Sequence, residues 1–226
     1  QISEVNFEYD TQLDAITIAM IEMDEYKFDR VLTSNIQGLG FERTMIEVIY
    51  PFLERLSLLW LTGSVNPVQE HFMSYLLRQK VIVAIDREPL TTGRSVKKFL
   101  IYLPEGEKQE LSLLFMHYLL KARGNMVIYL GQDISLDDLR SAAQIHKVDY
   151  VFTFINQPFA KQSTQSYINC LADIFPESQI LTTGYQIVAN RELKMPPHFT
   201  ILHSLNESVL FIDKLKYEMP KQRVLV

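Results

Sequence analysis

Two stretches carry side chains whose types and spacing could do chemistry. The first is Trp60, the only tryptophan, followed ten positions on by Glu70-His71. An indole near a carboxylate and an imidazole makes an aromatic lid with two polar groups, which suits a large flat ligand. The plainer readings are a core tryptophan and a solvated helix start where Glu70 favours the helix dipole. The second stretch is the loop from Pro104 to Glu110, rich in carboxylates, which closes a strand-like run. The other histidines are poorer candidates. His117 reads as a partly buried helix residue, and His146 sits near a helix end, where a cation is favourable. His198 and His203 flank a weak strand and match no metal-ligand spacing. Asp133 could hold a ligand hydroxyl, although Asp before a helix cap is common.

These residues need elements to position them. Val96 to Leu103 is β-branched and aromatic, opens after Gly93 and stops at Pro104, which is a strand pattern. From Glu107 to Arg123, apolar residues at Leu111, Leu114, Phe115, Tyr118 and Leu119 share one helical face, and Gly124 ends the helix. Met126 to Leu130 is a second buried-type strand. Strand, crossover helix and strand form a right-handed parallel unit. Ligands of such sheets lie outside the carboxyl ends of the strands, so the loop Pro104 to Glu110 is where a site is expected.

Upstream, Ile2 to about Ile85 reads as helix throughout. Thr11 or Asp14 is a candidate cap for the first. Phe41 to Trp60 is a longer apolar helix with Pro51 inside it, so a kink or break is expected near Tyr50. Asn66-Pro67 is a start pattern, and Phe72, Tyr75, Leu76, Gln79 and Ile82 form the expected inward face of the next helix. Four antiparallel helices on short loops imply a bundle. Asp86 to Gly93 is polar, holds Pro and Gly and serves as the linker, placing the helical cap domain over 1–88 and the sheet domain over 89–226. Downstream, Ser135 caps a helix from Leu136 to His146. Strands follow at Asp149 to Ile155, Gln179 to Thr183 and Phe199 to His203, with helices at Lys161 to Ile174 and Asn206 to Tyr217. Lys221 to Val226 reads as a frayed tail. The fold class is α/β: a four-helix bundle, then a doubly wound, five-stranded parallel sheet of Rossmann or flavodoxin-like type.

The chain has 226 residues, a net charge of −5 and a pI near 5.6. That balance argues against gripping a phosphate backbone over a broad surface. The lone Cys170 forbids an intrachain disulfide and fits a reducing cytoplasm, where the chain is expected to work. No apolar run reaches membrane-spanning length. The chain opens at Gln1, so an upstream segment is expected.

The Trp60-x9-Glu70-His71 spacing, Leu76-Leu77-Arg78 and the run Leu119-Leu120-Lys121-Ala122-Arg123-Gly124 through Val127-Ile128-Tyr129-Leu130-Gly131 resemble the cobalamin-binding regulatory half of MerR-type transcription factors. Within them the likeness is to the CarH/LitR group of light-responsive regulators, over nearly the whole chain. Cobalamin domains share a Glu/Asp-x-His-x-x-Gly loop whose histidine binds cobalt from below. The resemblance places that loop at Glu107 to Ser112. It also places Thr153 and Gly184 where a hydroxyl residue and a glycine line the nucleotide tail. The departures are specific. Gln109 stands for the histidine, Ser112 for the glycine, and Leu61 for a histidine that follows the cap tryptophan in light-responsive members. A neutral amide is a poor metal ligand, and a side chain at 112 narrows the tail channel.

The resemblance therefore implies a non-enzymatic effector-binding or oligomerisation module of a regulator. It takes cobalamin without a protein axial ligand, or serves another small-molecule effector. Such regulators form homo-oligomers on near-palindromic sites, and DNA contact would come from an upstream winged-helix domain. The alternative is a corrinoid-carrying protein of a methyltransferase system, which depends on the histidine replaced by Gln109. A phosphoreceiver-like domain needs an Asp after the third strand, where this chain reads Thr153-Phe154-Ile155-Asn156.

Overall fold

The computed structural model describes residues 2–61, 63–93, 96–108 and 110–218; Gln109 and the expected tail Lys221 to Val226 lie outside the described residues. The chain forms two compact units, Gln1–Ala84 and Ile85–Val226.

The first unit is helical: α1 (Ile2–Ile21), α2 (Glu25–Leu39), α3 (Phe41–Thr44), a π-helical turn (Met45–Ile49), α4 (Tyr50–Leu61) and α5 (Pro67–Arg87). Residues Phe41 to Leu61 form one continuous rod, so the unit has four helical rods. The expected break at Pro51 is absent. Proline lacks an N–H and its ring collides with the carbonyl four residues back, and the wide π turn just before it absorbs that conflict, with Tyr50 N–H donating to Met45 O. Thr11 and Asp14 are interior to α1 rather than caps, because the helix starts at Ile2. Asp14 pairs with Arg55 at 2.7 Å instead. The α2 helix is capped at its start by Asp24, whose side chain accepts from Lys27 N, and at its end by Gly40, φ 81°.

The core of this unit is Ile16, Met20, Phe28, Leu32, Met45, Ile49, Phe52, Met73, Leu77 and Val81. On α5 the inward face is Met73, Leu76, Leu77 and Val81, whereas Tyr75 is 60% and Ile82 41% exposed, which rotates the expected stripe. The cap of α5 is as the sequence predicts: Asn66 Oδ1 accepts from Gln69 N (3.1 Å) and Gln69 Oε1 from Asn66 N (3.0 Å), a reciprocal box. The helix runs through Arg87, two residues into the stretch expected as linker.

The second unit holds β1 (Lys98–Pro104), α6 (Glu110–Ala122), β2 (Met126–Ile134), α7 (Leu136–Ile145), β3 (Tyr150–Phe154), α8 (Thr164–Ile174), β4 (Gln179–Thr183), α9 (Tyr185–Val188), β5 (Phe199–Ile201) and α10 (Leu205–Glu218). The five strands are parallel in the order β2-β1-β3-β4-β5. Order reverses between β1 and β3, so the switch point lies there.

Alternation along the strands feeds two faces. Leu100, Tyr102, Val151, Ile155 and Ile180 pack with Leu139 of α7 and Ile168 and Leu171 of α8. On the other face Phe99 stacks on Tyr150 at 4.7 Å, and Tyr150 meets Phe211 of α10 edge-on. Residues 99 to 104 of β1 are all buried, as a central strand of a doubly wound sheet requires. Among the described residues no helix is long and apolar enough to cross a membrane.

Three element ends of this unit differ from the sequence reading by three residues or more. The α6 helix starts at Glu110, not Glu107, because Gly106 (φ 83°) turns the chain and Glu107 N donates to Pro104 O. The α8 helix starts at Thr164, not Lys161, because Ser163 caps it through Ser166 N. The β2 strand continues past Leu130: a register shift pairs Tyr102 with Gly131, whose φ of 87° lets the strand bulge and go on to Ile134.

Candidate functional site

At the carboxyl end of the sheet, three loops are tied by polar contacts. Glu107, in the loop after β1, is only 3% exposed. Its Oε2 accepts from Asn156 N at 2.7 Å and Gln157 N at 3.2 Å, both in the loop after β3, and its Oε1 accepts from Lys108 N at 3.1 Å. A buried carboxylate among three backbone N–H groups sits in an anion nest of the chain's own making. Asp133, at φ 56°, accepts from Gly106 N at 3.0 Å. The residue read as a possible hydroxyl binder thus holds the turn that aims Glu107.

The third loop joins through Gly184. A Cβ there would stand 2.5 Å from Ile155 O and 2.8 Å from Ile155 N, at φ 110°. Only glycine allows β4's loop to lie against β3's at this distance. The contact is sealed by Gln186 N to Ile155 O (3.0 Å) and Tyr185 N to Asn156 Oδ1 (3.0 Å).

Beneath these loops lies a buried hydroxyl group. Tyr102 OH and Tyr167 OH are 2.8 Å apart, and Thr153, which is 0% exposed, hydrogen-bonds Tyr102. Burial pushes both phenols up from the usual tyrosine range, so both stay protonated as donors. Phe159 stacks on Tyr167 at 4.2 Å. Outside it a cavity of about 640 Å³ opens between the β1 and β3 loops, lined by Glu105, Gly106, Lys108, Gln157, Phe159 and Lys161 among others. That volume falls in the range of roughly 300–1,000 Å³ typical of small-molecule clefts.

Of the residues singled out from sequence, Glu107, Thr153 and Gly184 all lie at this end of the sheet. Glu107 is engaged with backbone, Thr153 is enclosed, and Gly184 serves the loop-to-loop contact. Ser112 is half-buried in the first turn of α6. Gln109 lies outside the described residues. In the helical unit, Trp60 occupies the last turn of α4 and is 53% exposed, so it is no core anchor. Gly63 ends that helix in a Schellman motif, with Gly63 N to Trp60 O and Ser64 N to Leu59 O both at 3.0 Å. The short connection to Pro67 brings half-buried Glu70 and exposed His71 to the same end of the unit as Trp60. Leu58, Leu61 and Val68 there are exposed too, at 64%, 78% and 55%.

Sequence reasoning missed Tyr102, Tyr167, Asn156 and Phe159. A tyrosine inside an otherwise apolar strand does signal that its hydroxyl needs a partner, but not which one. His117 is half-buried, as expected, and its ring stacks on Tyr129 at 5.2 Å. Among the described residues no group of His, Cys, Asp and Glu could hold a metal ion.

Residues 12–84 match the family model described as B12 binding domain. The HTH-type transcriptional repressor CarH of Myxococcus xanthus is 28% identical over 142 residues, covering 63% of this chain and 46% of the repressor. The chain thus spans under half the length of that curated relative. Among solved structures, the monomethylamine corrinoid protein of Methanosarcina barkeri superposes with a TM-score of 0.67 at 10% identity, covering 91% of this chain and 99% of the other. At that identity the likeness is one of fold: a helical part followed by a parallel five-stranded sheet. The family match lies within the helical unit, and the match to the repressor covers 63% of the chain.

Proposed function

We propose that the chain is the effector-binding and oligomerisation module of a MerR-type transcriptional regulator, resembling cobalamin-binding repressors but without a protein ligand to cobalt. The observation that carries the reading is the loop after β1. Its one buried carboxylate, Glu107, is used by three backbone amides. No histidine or cysteine occurs between Val96 and Met116, and the amide of Gln109 is a poor ligand. These donors do not fit a group anchored by a protein–cobalt bond, so no cobalt chemistry is assigned to the chain.

Its role on this reading is non-catalytic: to bind an effector, corrinoid or other, and to self-associate. Trp60, Glu70 and His71 of the helical unit, and Ser112, Thr153 and Gly184 of the sheet unit, are the residues proposed to serve that binding. DNA contact falls to an upstream winged-helix segment, consistent with the net charge of −5. The similarity to the HTH-type transcriptional repressor CarH supports a regulator over a corrinoid-carrying methyltransferase partner.

The test is an absorption titration with adenosylcobalamin and hydroxocobalamin in the dark, with light scattering before and after illumination. The expected result is self-association that light does not change and no spectral sign of imidazole on cobalt. A tight complex that rearranges on illumination overturns the reading. A strictly monomeric chain that exchanges methyl groups with a corrinoid methyltransferase favours the carrier.

A further inference from the structure

The cavity between the β1 and β3 loops has a chemistry that the reading above does not use. Its two lysines come one from each loop, Lys108 and Lys161. Both are exposed, and neither forms an ion pair with a described residue. Phe159 supplies a flat apolar wall, held in place by its stack on Tyr167 at 4.2 Å. Gln157 and Gln162 add amide donors and acceptors to the lining, and Glu105 one further carboxylate. Glu107 also borders the space, but its charge is answered by the amides of Lys108, Asn156 and Gln157. The loops are therefore already locked together, and both lysines line the cavity without an ion-pair partner among the described residues.

We propose that this cavity takes a phosphate monoester carrying a flat aromatic ring, of the mononucleotide or flavin mononucleotide class. The phosphate lies between Lys108 and Lys161, the ring stacks on Phe159, and Glu105 accepts from a ligand hydroxyl or amine. Three features support the assignment. The cavity lies at the switch point, where sheets of this strand order bind ligands. Ammonium groups on opposite loops suit a dianion, which one lysine alone would hold weakly. Glu105 disfavours a bare anion and favours one that brings a hydroxyl or amine donor with it. The inference rests on the effector-binding reading and gives the module a ligand site lined by none of the six residues assigned to binding above.

The experiment is calorimetric titration of the full chain with AMP and with FMN, against adenosine, riboflavin and inorganic phosphate. AMP or FMN should bind with a Kd below about one millimolar, and the matching unphosphorylated compound and phosphate alone should each be weaker by roughly tenfold or more. The exposed double variant Lys108→Gln/Lys161→Gln should weaken binding by roughly tenfold or more with Tm unchanged. Lys108→Arg/Lys161→Arg should retain it. Phe159→Leu should weaken AMP and FMN but not phosphate. Failure of both nucleotides to bind, equal affinity for phosphate alone, or binding indifferent to both lysines overturns the assignment. Adenosylcobalamin titration and light scattering on the same sample read the module separately. Corrinoid binding and self-association without nucleotide binding overturn the ligand class alone. A monomer that binds no corrinoid counts against the module reading whatever the nucleotides do.

Discussion

The Glu107 carboxylate reaches from the loop after β1 to the backbone N–H of Asn156 after β3, at 2.7 Å, while only 3% of the residue is exposed. One side chain thus joins the two loops that flank the sheet's switch point. It does so with an ionisable group that would otherwise be costly to bury.

Removing that group leaves the part-buried amides of Lys108, Asn156 and Gln157 without their acceptor. Glu107→Ala should destabilise the sheet unit by about 2–4 kcal/mol, because hydrogen bonds to a charged group are worth roughly 1.5–3 kcal/mol and the stranded N–H groups add their desolvation. Glu107→Gln keeps one acceptor oxygen and should cost about half as much. Urea unfolding of the three proteins checks this. Equal stability of wild type and Glu107→Ala would show that the amides find water instead.

Gly184 is the tightest backbone contact at the site. Gly184→Ala sets a methyl 2.5 Å from Ile155 O in a left-handed conformation. The expected loss is about 2–4 kcal/mol, as strain and overpacking act together. The backbone clash cannot be relieved by a rotamer change. Hydrogen exchange should show faster opening at Ile155 and Gln186, whose amides join these loops.

His117 makes stability depend on pH. Burial, and secondarily the charge of Lys121, lowers its pKa from 6.5 to about 4. The unfolded chain therefore takes up a proton at a higher pH than the folded one. Stability from this group is complete above about pH 6.5 and is lost progressively as pH falls from 6.5 towards 4. His117→Phe keeps a ring against Tyr129 and cannot titrate, so its urea midpoint should fall less over that window than the wild type's. Parallel pH profiles would assign the acid sensitivity to other groups.

The corrinoid question can be put to the sequence directly. On the proposed reading, Gln109→His with Ser112→Gly introduces the imidazole and the small residue that a cobalamin loop carries. The double variant should gain adenosylcobalamin binding, read by its absorption spectrum, relative to the wild type. No gain would mean that the pocket differs from a cobalamin site in more than its anchor.

Much of this architecture was legible in the residues. The strand pattern of Val96 to Leu103 and the caps at Asn66 and Ser135 depend on side chains within a few positions of one another. Ser135 caps its helix as the sequence predicts, and the structure adds a reciprocal box with Asp138. Local hydrogen bonding and burial period decide such features, so one chain segment suffices to see them. Parallel crossovers are legible in the alternation of strands and helices, but the order β2-β1-β3-β4-β5 is a tertiary fact.

The site was legible only as a location. Sequence pointed to Glu107, Thr153 and Gly184, but not to what they do. The Glu107 to Asn156 bond joins residues 49 apart, and the Tyr102 to Tyr167 pair residues 65 apart. No periodicity encodes which buried donor meets which acceptor across that distance; packing of the two sheet faces chooses it. The same holds for Pro51, whose local rule predicts a break. The helix stays whole because residues Met45–Ile49 widen into a π turn while Met45, Val48 and Ile49 remain buried. Local chemistry determined where the elements fall, and long-range packing set the strand order with its switch point and decided that Glu107 would bind its own backbone beside a cavity lined by Lys108 and Lys161.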